Sequence, residues 1–393
     1  MKKPKRRIRK PSFFMYYFIA PLIILFLKIK YKFTKNKIKI RNGSLLIAPH
    51  RSYFDFLTIP YLVYPKRCHV VSTTYWYRDK RLVPLLNILG TIPKDQYRSD
   101  RKSILLMSDC FKNGDNVLMF PEGQMSIYSK NLPLPTGLDK LIKLYKPNVY
   151  FINPKGAYLS SPKWNRSFKK GRIDASIELL FKSEEIENYS LDEINKIIKD
   201  AYNKADDLSL IRDHKDYKFI SKNRASGLEN IIINCPKCGS LLSLETDKRH
   251  TGCKCCDFSL DFKNEGYEFE PNPYFKDLKD LFEFNDIKIS ELASKDLVLE
   301  DDARIVYIDE NFNEISLYSD GKVIMDKEKA ILMDKNGTDS LTILNDTVIN
   351  YVITLNKSFE IPTPKMTYRI YTKNPRRVIL YWNYLNKLKE INN

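Results

Sequence analysis

The chain has 393 residues, with 66 Lys and Arg against 48 Asp and Glu and a formal net charge of +18, a length that points to two or three domains. Its 43% hydrophobic and 29% charged residues can build real cores, which excludes wholesale disorder and a collagen-like fibre. Residues 1–54 hold 15 Lys and Arg and no acid, leaving 51 basic against 48 acidic residues beyond them, so a uniformly cationic nucleic-acid coat is excluded as well.

Residues 1–41 read as a membrane contact. Seven basic residues between Lys2 and Lys10 precede an uncharged apolar run at 11–27, and a second basic stretch extends from Lys28 to Arg41. The run has 17 residues and contains Pro21, at the lower edge of the ~20 that span a bilayer. Basic residues on both flanks give no inside–outside bias. An in-plane or re-entrant segment, with Lys and Arg on anionic headgroups, is expected; a buried core helix under a basic tail is the alternative. No small-residue cleavage site comes after Leu27, which argues against a signal peptide. The expected location is the cytoplasmic face of the cell membrane.

Residues 42–228 alternate short apolar runs with amphipathic stretches. Strands are predicted at 44–48 (SLLIA), 69–72, 117–120 and 149–152, and helices at 80–89, 100–112, 136–145 and 190–205. The last helix opens on a capping box, Ser190 with Glu193. This alternation predicts an α/β fold with a largely parallel sheet flanked by helices.

The chemistry of this part gathers at strand ends. SLLIA runs into His50, with Asp55 five residues on. A carboxylate accepting from one imidazole nitrogen fixes the tautomer and lets the other nitrogen remove a proton. No Ser, Cys or Thr stands out as a partner, so the natural nucleophile is a hydroxyl of the substrate. VLMFPEG (117–123) is a buried strand ending on Pro121, Glu122 and Gly123, which leaves one carboxylate at the strand's carboxyl end, the usual site of function in open α/β sheets. LGTIPKD (89–95), with Lys94 and then Arg98 and Arg101 beyond it, and FINPKGAYL (151–159) end in the same way. Four such tips would surround one pocket.

Cysteine usage points to a reducing compartment. Cys68 and Cys110 are isolated, whereas five of the seven cysteines fall between 235 and 256, which favours a metal over disulfides. Cys235, Cys238, Cys253 and Cys256 have the spacing C-x2-C-x14-C-x2-C of a zinc ribbon, with four thiolates for structural, tetrahedral Zn2+ and no open position. Cys255 and His250 are spare ligands. Gly239 allows the tight turn after the second cysteine. The ribbon is assigned 229–265. It is not notably basic or aromatic, so no nucleic-acid partner is expected. A linker or helical bridge occupies 266–299. Residues 300–393 carry about seven short β-rich runs, with turn signals at Asp320-Gly321 and Asn336-Gly337, and a closing helix at 376–391.

Taken in order, HRSYFD (50–55), GTIPKD (90–95), FPEG (120–123) and INPKG (152–156) resemble the four blocks of the glycerolipid acyltransferases. The best-known members of that family are the 1-acyl-sn-glycerol-3-phosphate (lysophosphatidic acid) acyltransferases. The resemblance covers about residues 30–205, and the family's short N-terminal membrane segment matches residues 11–33. It implies transfer of an acyl group from acyl-CoA or an acyl-carrier-protein thioester to the hydroxyl of a lysophospholipid, foremost 1-acyl-sn-glycerol-3-phosphate, in phospholipid biosynthesis. His50 would be the general base and Asp55 its orienting partner. Glu122 and Gly123 would belong to the acceptor site, with Pro121 shaping the turn, and no redox cofactor is implied. Two positions depart from the family: Gln96 and Met125 stand where arginines thought to hold the acceptor's phosphate usually do. Lys94, Arg98, Arg101 and Lys130 are the candidates to replace that charge. Some bacterial members carry a similar ribbon after a segment like 227–230, and the last part resembles a pleckstrin-homology-like domain in architecture alone. Two other functions compete: a catalytically weak membrane adaptor, and a nucleic-acid binder built on the ribbon.

Overall fold

The computed structural model describes residues 8–96, 100–135, 137–165, 167, 169–213, 217–309 and 313–392. They form two compact units, one reaching to Ser221 and one starting at Lys222.

In chain order the first unit contains α1 (Ala20–Tyr31), β1 (Thr34–Lys35), β2 (Leu45–Ile47), α2 (Asp55–Leu62), β3 (Cys68–Thr73), α3 (Val83–Ile88), β4 (Ile92–Lys94), α4 (Arg101–Lys112), β5 (Asn116–Met119), α5 (Leu138–Tyr145), β6 (Val149–Lys155), α6 (Ala157–Ser160), β7 (Asp174–Phe181), α7 (Leu191–Asn203) and α8 (Leu210–Asp213). The seven strands make one sheet in the order β1-β7-β6-β2-β5-β3-β4. Its pairings are parallel except β6 with β7. The four predicted strands are β2, β3, β5 and β6. β7 is not among them: its sequence DASIELLF alternates buried and exposed positions, unlike the continuous apolar runs of the central strands.

Alternation along the central strands sends neighbouring residues to opposite faces. Leu45, Ile47, Val117, Met119, Val149 and Phe151 pack with residues of α4, α5 and α7. Leu46, Leu118, Tyr150 and Ile152 face the other way, onto Leu27 and Tyr31 of α1 and Ile59 and Leu62 of α2. Helices therefore cover both faces, as a parallel sheet requires. The helix caps agree with the sequence. Asp100 accepts from the Ser103 N–H at 3.0 Å at the start of α4, and the Ser190–Glu193 capping box is formed at the start of α7.

The apolar N-terminal run is helical but short. A five-residue π-helical turn, Met15–Ile19, leads into the 12-residue α1. Among the described residues no helix is long and apolar enough to cross a membrane. One face of α1 is sealed in the core through Leu27 and Tyr31, while its Leu22, Phe26 and Ile29, and Phe14 and Phe18 just before it, are all more than half exposed.

The second unit begins with a three-stranded antiparallel sheet of β8 (Leu244–Asp247), β9 (His250–Cys253) and β10 (Ser259–Asp261). The 16-residue helix α9 (Leu278–Ala293) comes next, and its Asn285 accepts from the Ile233 N–H at 2.9 Å. Then come β11 (Leu299–Ile308), β12 (Glu314–Met325), β13 (Lys329–Asp334), β14 (Ser340–Leu344), β15 (Val352–Thr354), β16 (Ser358–Pro362), β17 (Thr367–Thr372) and α10 (Val378–Asn392). These seven strands form a second sheet, antiparallel throughout, in the order β14-β13-β12-β11-β17-β16-β15. Tyr381 of α10 stacks on Phe359 of β16 at 4.9 Å, and the Trp382 indole donates to the Tyr351 carbonyl at 3.2 Å.

The turn signal at Asn336-Gly337 is a turn, with Gly337 donating to the Asp334 carbonyl at 3.2 Å. The one at Asp320-Gly321 is not: β12 runs straight through it. The pairing of β12 with β11 shifts register there. A side chain at Gly321 would meet the Met333 carbonyl at 2.5 Å, so this glycine serves a close strand approach at an irregularity rather than a hairpin.

Candidate active site

β2 and β5 are adjacent and parallel, so the segments leaving their ends emerge side by side at the sheet's carboxyl edge. His50 lies just past β2, and Glu122 just past β5. Asp55 is the first residue of α2 and is fully buried. Its Oδ2 lies 2.9 Å from His50 Nδ1 and also accepts from the Arg51 N–H at 2.7 Å and the Ser52 N–H at 2.8 Å. The turn thus wraps around one carboxylate oxygen. With Nδ1 carrying the proton toward Asp55, the lone pair of a neutral His50 lies on Nε2. The His50 ring stacks on Phe120 at 4.7 Å and its side chain stays 26% exposed, which leaves it reachable.

Glu122 joins the two strand ends. Its Oε2 accepts from the His50 backbone N–H at 2.8 Å and its Oε1 from the Leu132 N–H at 2.9 Å. Burial pushes this carboxyl above the usual carboxylate range, while Arg51 and the two N–H donors pull the other way. The Ser126 N–H returns to the His50 carbonyl at 2.9 Å. Gly123 has φ +72°, a left-handed turn that favours glycine, and its carbonyl accepts from the Gln96 side chain. That contact ties the segment after β4 to the FPEG turn.

Arg51 has no role that the motif assigns. Its side chain is buried and donates to the Ser129 carbonyl, to Asn131 Oδ1 and, at 2.9 Å, to the Ala205 carbonyl. Asn131 in turn donates to the Tyr202 carbonyl at 2.9 Å, and the Tyr202 hydroxyl donates to the Ala48 carbonyl at 3.0 Å, two residues before His50. Asp207 completes this interior. It accepts from the Gly156 N–H at 3.0 Å and the Tyr158 N–H at 2.8 Å, holding the INPKG block. Burial pushes its carboxyl up to about 6 despite those donors and Arg51. Asp207 and Asn131 lie outside every motif, so no sequence signal marks them.

The remaining candidates are more scattered. Pro121 is buried beside Glu122. Lys94 ends β4, three places from β2 across the sheet. Arg101 and Lys130 are exposed, Met125 is buried, and Arg98 lies outside the described residues.

In the second unit Cys235, Cys238, Cys253 and Cys256 present four sulfurs within 4.8 Å of one another. His250 turns instead to Asp261, at 3.2 Å, and Cys255 is exposed outside the group. Four converging thiols with no carboxylate among them are a set that can hold a metal ion. Cys68 and Cys110 are different: burial pushes each thiol up to about 12, which keeps them unreactive.

Residues 29–154 match the family model described as Acyltransferase. The chain carries an acyltransferase domain. The match contains His50, Asp55, Gln96 and Glu122 and ends within β6. Among solved structures the chain is similar to the 1-acyl-sn-glycerophosphate (LPA) acyltransferase PlsC from Thermotoga maritima, with 18% identity over 49% of this chain and 81% of that one and a TM-score of 0.41. It is also similar to the N-terminal PH domain of human ARAP2, with 14% identity over 25% of this chain and 84% of that one and a TM-score of 0.21. No curated protein matches.

Proposed function

We propose that this acyltransferase moves an acyl group from a thioester, acyl-CoA or acyl-carrier protein, to the hydroxyl of a lysophospholipid of the 1-acyl-sn-glycerol-3-phosphate class. The observation that carries the reading is the pairing of a partly exposed His50 ring with a buried Asp55 on one edge with the FPEG turn. In the proposed reaction His50 Nε2 takes the proton from the acceptor hydroxyl as its oxygen attacks the thioester carbonyl. The C–O bond forms, the C–S bond breaks, and the proton returns from His50 to the departing thiolate. Asp55 stabilises the imidazolium in between. Glu122 has both oxygens on backbone N–H groups, so it acts on the acceptor by fixing the backbone of His50 and of residues 123–132. With Gln96 and Met125 in the usual arginine positions, the acceptor's phosphate falls to Lys94, Arg98, Arg101 or Lys130.

The exposed apolar face of α1 and the basic residues around it support seating on an anionic membrane in plane. The four-cysteine group fits structural zinc, because an all-thiolate set satisfies the ion without an open position. The antiparallel sheet closed by α10 supports a pleckstrin-homology-like reading of the last part.

The test is transfer of labelled acyl groups from acyl-CoA and from acyl-carrier protein to a panel of lysophospholipids in vesicles. Transfer to lysophosphatidic acid above the other acceptors is expected. Transfer to acceptors lacking a phosphate monoester, at equal rates, contradicts the proposed acceptor class. No transfer with any pair contradicts the reading as a whole.

A further inference from the structure

β3 leaves the sheet next to β5 and runs directly into a single 3-10 turn, Thr74–Arg78. The turn is anchored on its inner side. The Tyr77 hydroxyl donates to the Thr91 carbonyl at 3.1 Å, and Thr74 donates to Asp95 at 2.7 Å. Its outer side carries Tyr75 and Trp76, 36% and 50% exposed, packed edge to face at 5.6 Å. Arg78 lies over the Tyr75 ring at 4.8 Å, and Lys80 and Arg81 beyond it are exposed.

This aromatic pair is not isolated. α3 packs on the same turn and exposes Leu85. The end of α3 is joined to the N-terminal segment, where the Ser12 N–H donates to the Ile88 carbonyl at 2.8 Å. Phe13 and Phe14 come next in the chain and are about 60% exposed. Exposed apolar side chains therefore recur along the linked segments: the one before α1, then α3, then the strand-end turn. Soluble proteins rarely leave so extended a series of aromatics uncovered. Trp and Tyr with Lys and Arg around them are the side chains that settle at a lipid–water boundary.

We propose that the Tyr75–Trp76 turn is a second interfacial contact, which seats the carboxyl edge of the sheet on an anionic lipid bilayer. This rests on the reading of α1 as membrane-seated and goes beyond it. A single helix in the interface leaves the domain free to pivot, whereas a second contact at the end of β3 fixes its tilt. Fixed in this way, the edge that bears His50 and Glu122 faces the membrane plane, and a lysophospholipid reaches His50 with little withdrawal from the bilayer.

The chain has three tryptophans, and Trp164 and Trp382 are buried, so Trp76 is a built-in probe. The experiment mixes the full chain with vesicles of equal parts phosphatidylcholine and phosphatidylglycerol, with and without brominated acyl chains. Brominated vesicles are expected to quench the Trp76 emission. W76F should lose that quenching and bind the vesicles several-fold more weakly. Sedimentation with vesicles but no quenching beyond that of W76F overturns the proposal and leaves the α1 reading intact. A Trp76 signal that ignores vesicles but responds to acyl-carrier protein reassigns the turn to a protein partner and also overturns it. Failure to sediment at all overturns both readings.

Discussion

Arg51 holds more of the site together than any residue placed in direct contact with chemistry. Its backbone N–H binds Asp55, while its side chain spans Ser129, Asn131 and Ala205. It also provides the positive charge that offsets burial at Glu122 and Asp207. Arg51→Met leaves two buried carboxyls without that cation and three oxygens without their donor, a loss expected to destabilise the fold, read as a lowered midpoint in urea unfolding. An unchanged midpoint contradicts the role. Asp207 gives a pH signature. Its folded carboxyl titrates at about 6, above the ordinary value of 3.8, so the folded chain binds more protons between those values. Stability from this group is full below pH 3.8 and is lost as pH rises through 6, by about 3 kcal/mol. Asp207→Asn should remove that segment of the stability–pH curve, and an unaltered curve contradicts the assignment. His50, Asp55 and Glu122 are legible as candidates because each falls in a short motif at the end of an apolar strand. Arg51's role and Asp207 are not, because their partners lie between about 50 and 154 residues away in sequence and burial is invisible in a motif.

At the level of elements, the N-terminal helical run is two-sided: Leu27 and Tyr31 of α1 are locked into the core while Phe18, in the turn before it, and Leu22 face out. Phe18→Asp with Leu22→Asp should therefore leave folding intact and sharply reduce sedimentation with anionic vesicles. Retained binding contradicts the proposed seating. For the cysteine group, purified protein is expected to carry one zinc. Cys235→Ser should lower that content and speed hydrogen exchange in β8–β10, and unchanged exchange contradicts a structural metal. The central strands are legible because both their faces are buried, giving unbroken apolar runs. β7 lacks such a run because exposed Ser176 and Glu178 alternate with buried Ala175 and Ile177, and the Asp320-Gly321 turn signal misleads because β11 and β13 pair on either side of β12 and carry it through.

Across the whole molecule the +18 charge is a property of one end, with fifteen basic residues before Asp55 and near balance after it. In the proposed reading that end concentrates the enzyme on an anionic surface, so vesicle binding should weaken as salt rises. The cation-rich segment leads straight into β2, and β2 delivers His50 to the sheet edge beside Glu122. In the proposed reading, charge, sheet order and motif spacing all support a lipid hydroxyl as the nucleophile and His50 as its base. The most direct test compares the wild-type chain with His50→Ala for thiol release from an acyl thioester in the presence of a lysophospholipid acceptor. Acceptor-dependent release by the wild type is expected, with a loss of about 10²–10⁴-fold or more in the variant and vesicle binding unchanged. Acceptor-dependent release at the wild-type rate by His50→Ala would contradict the role of His50 as base.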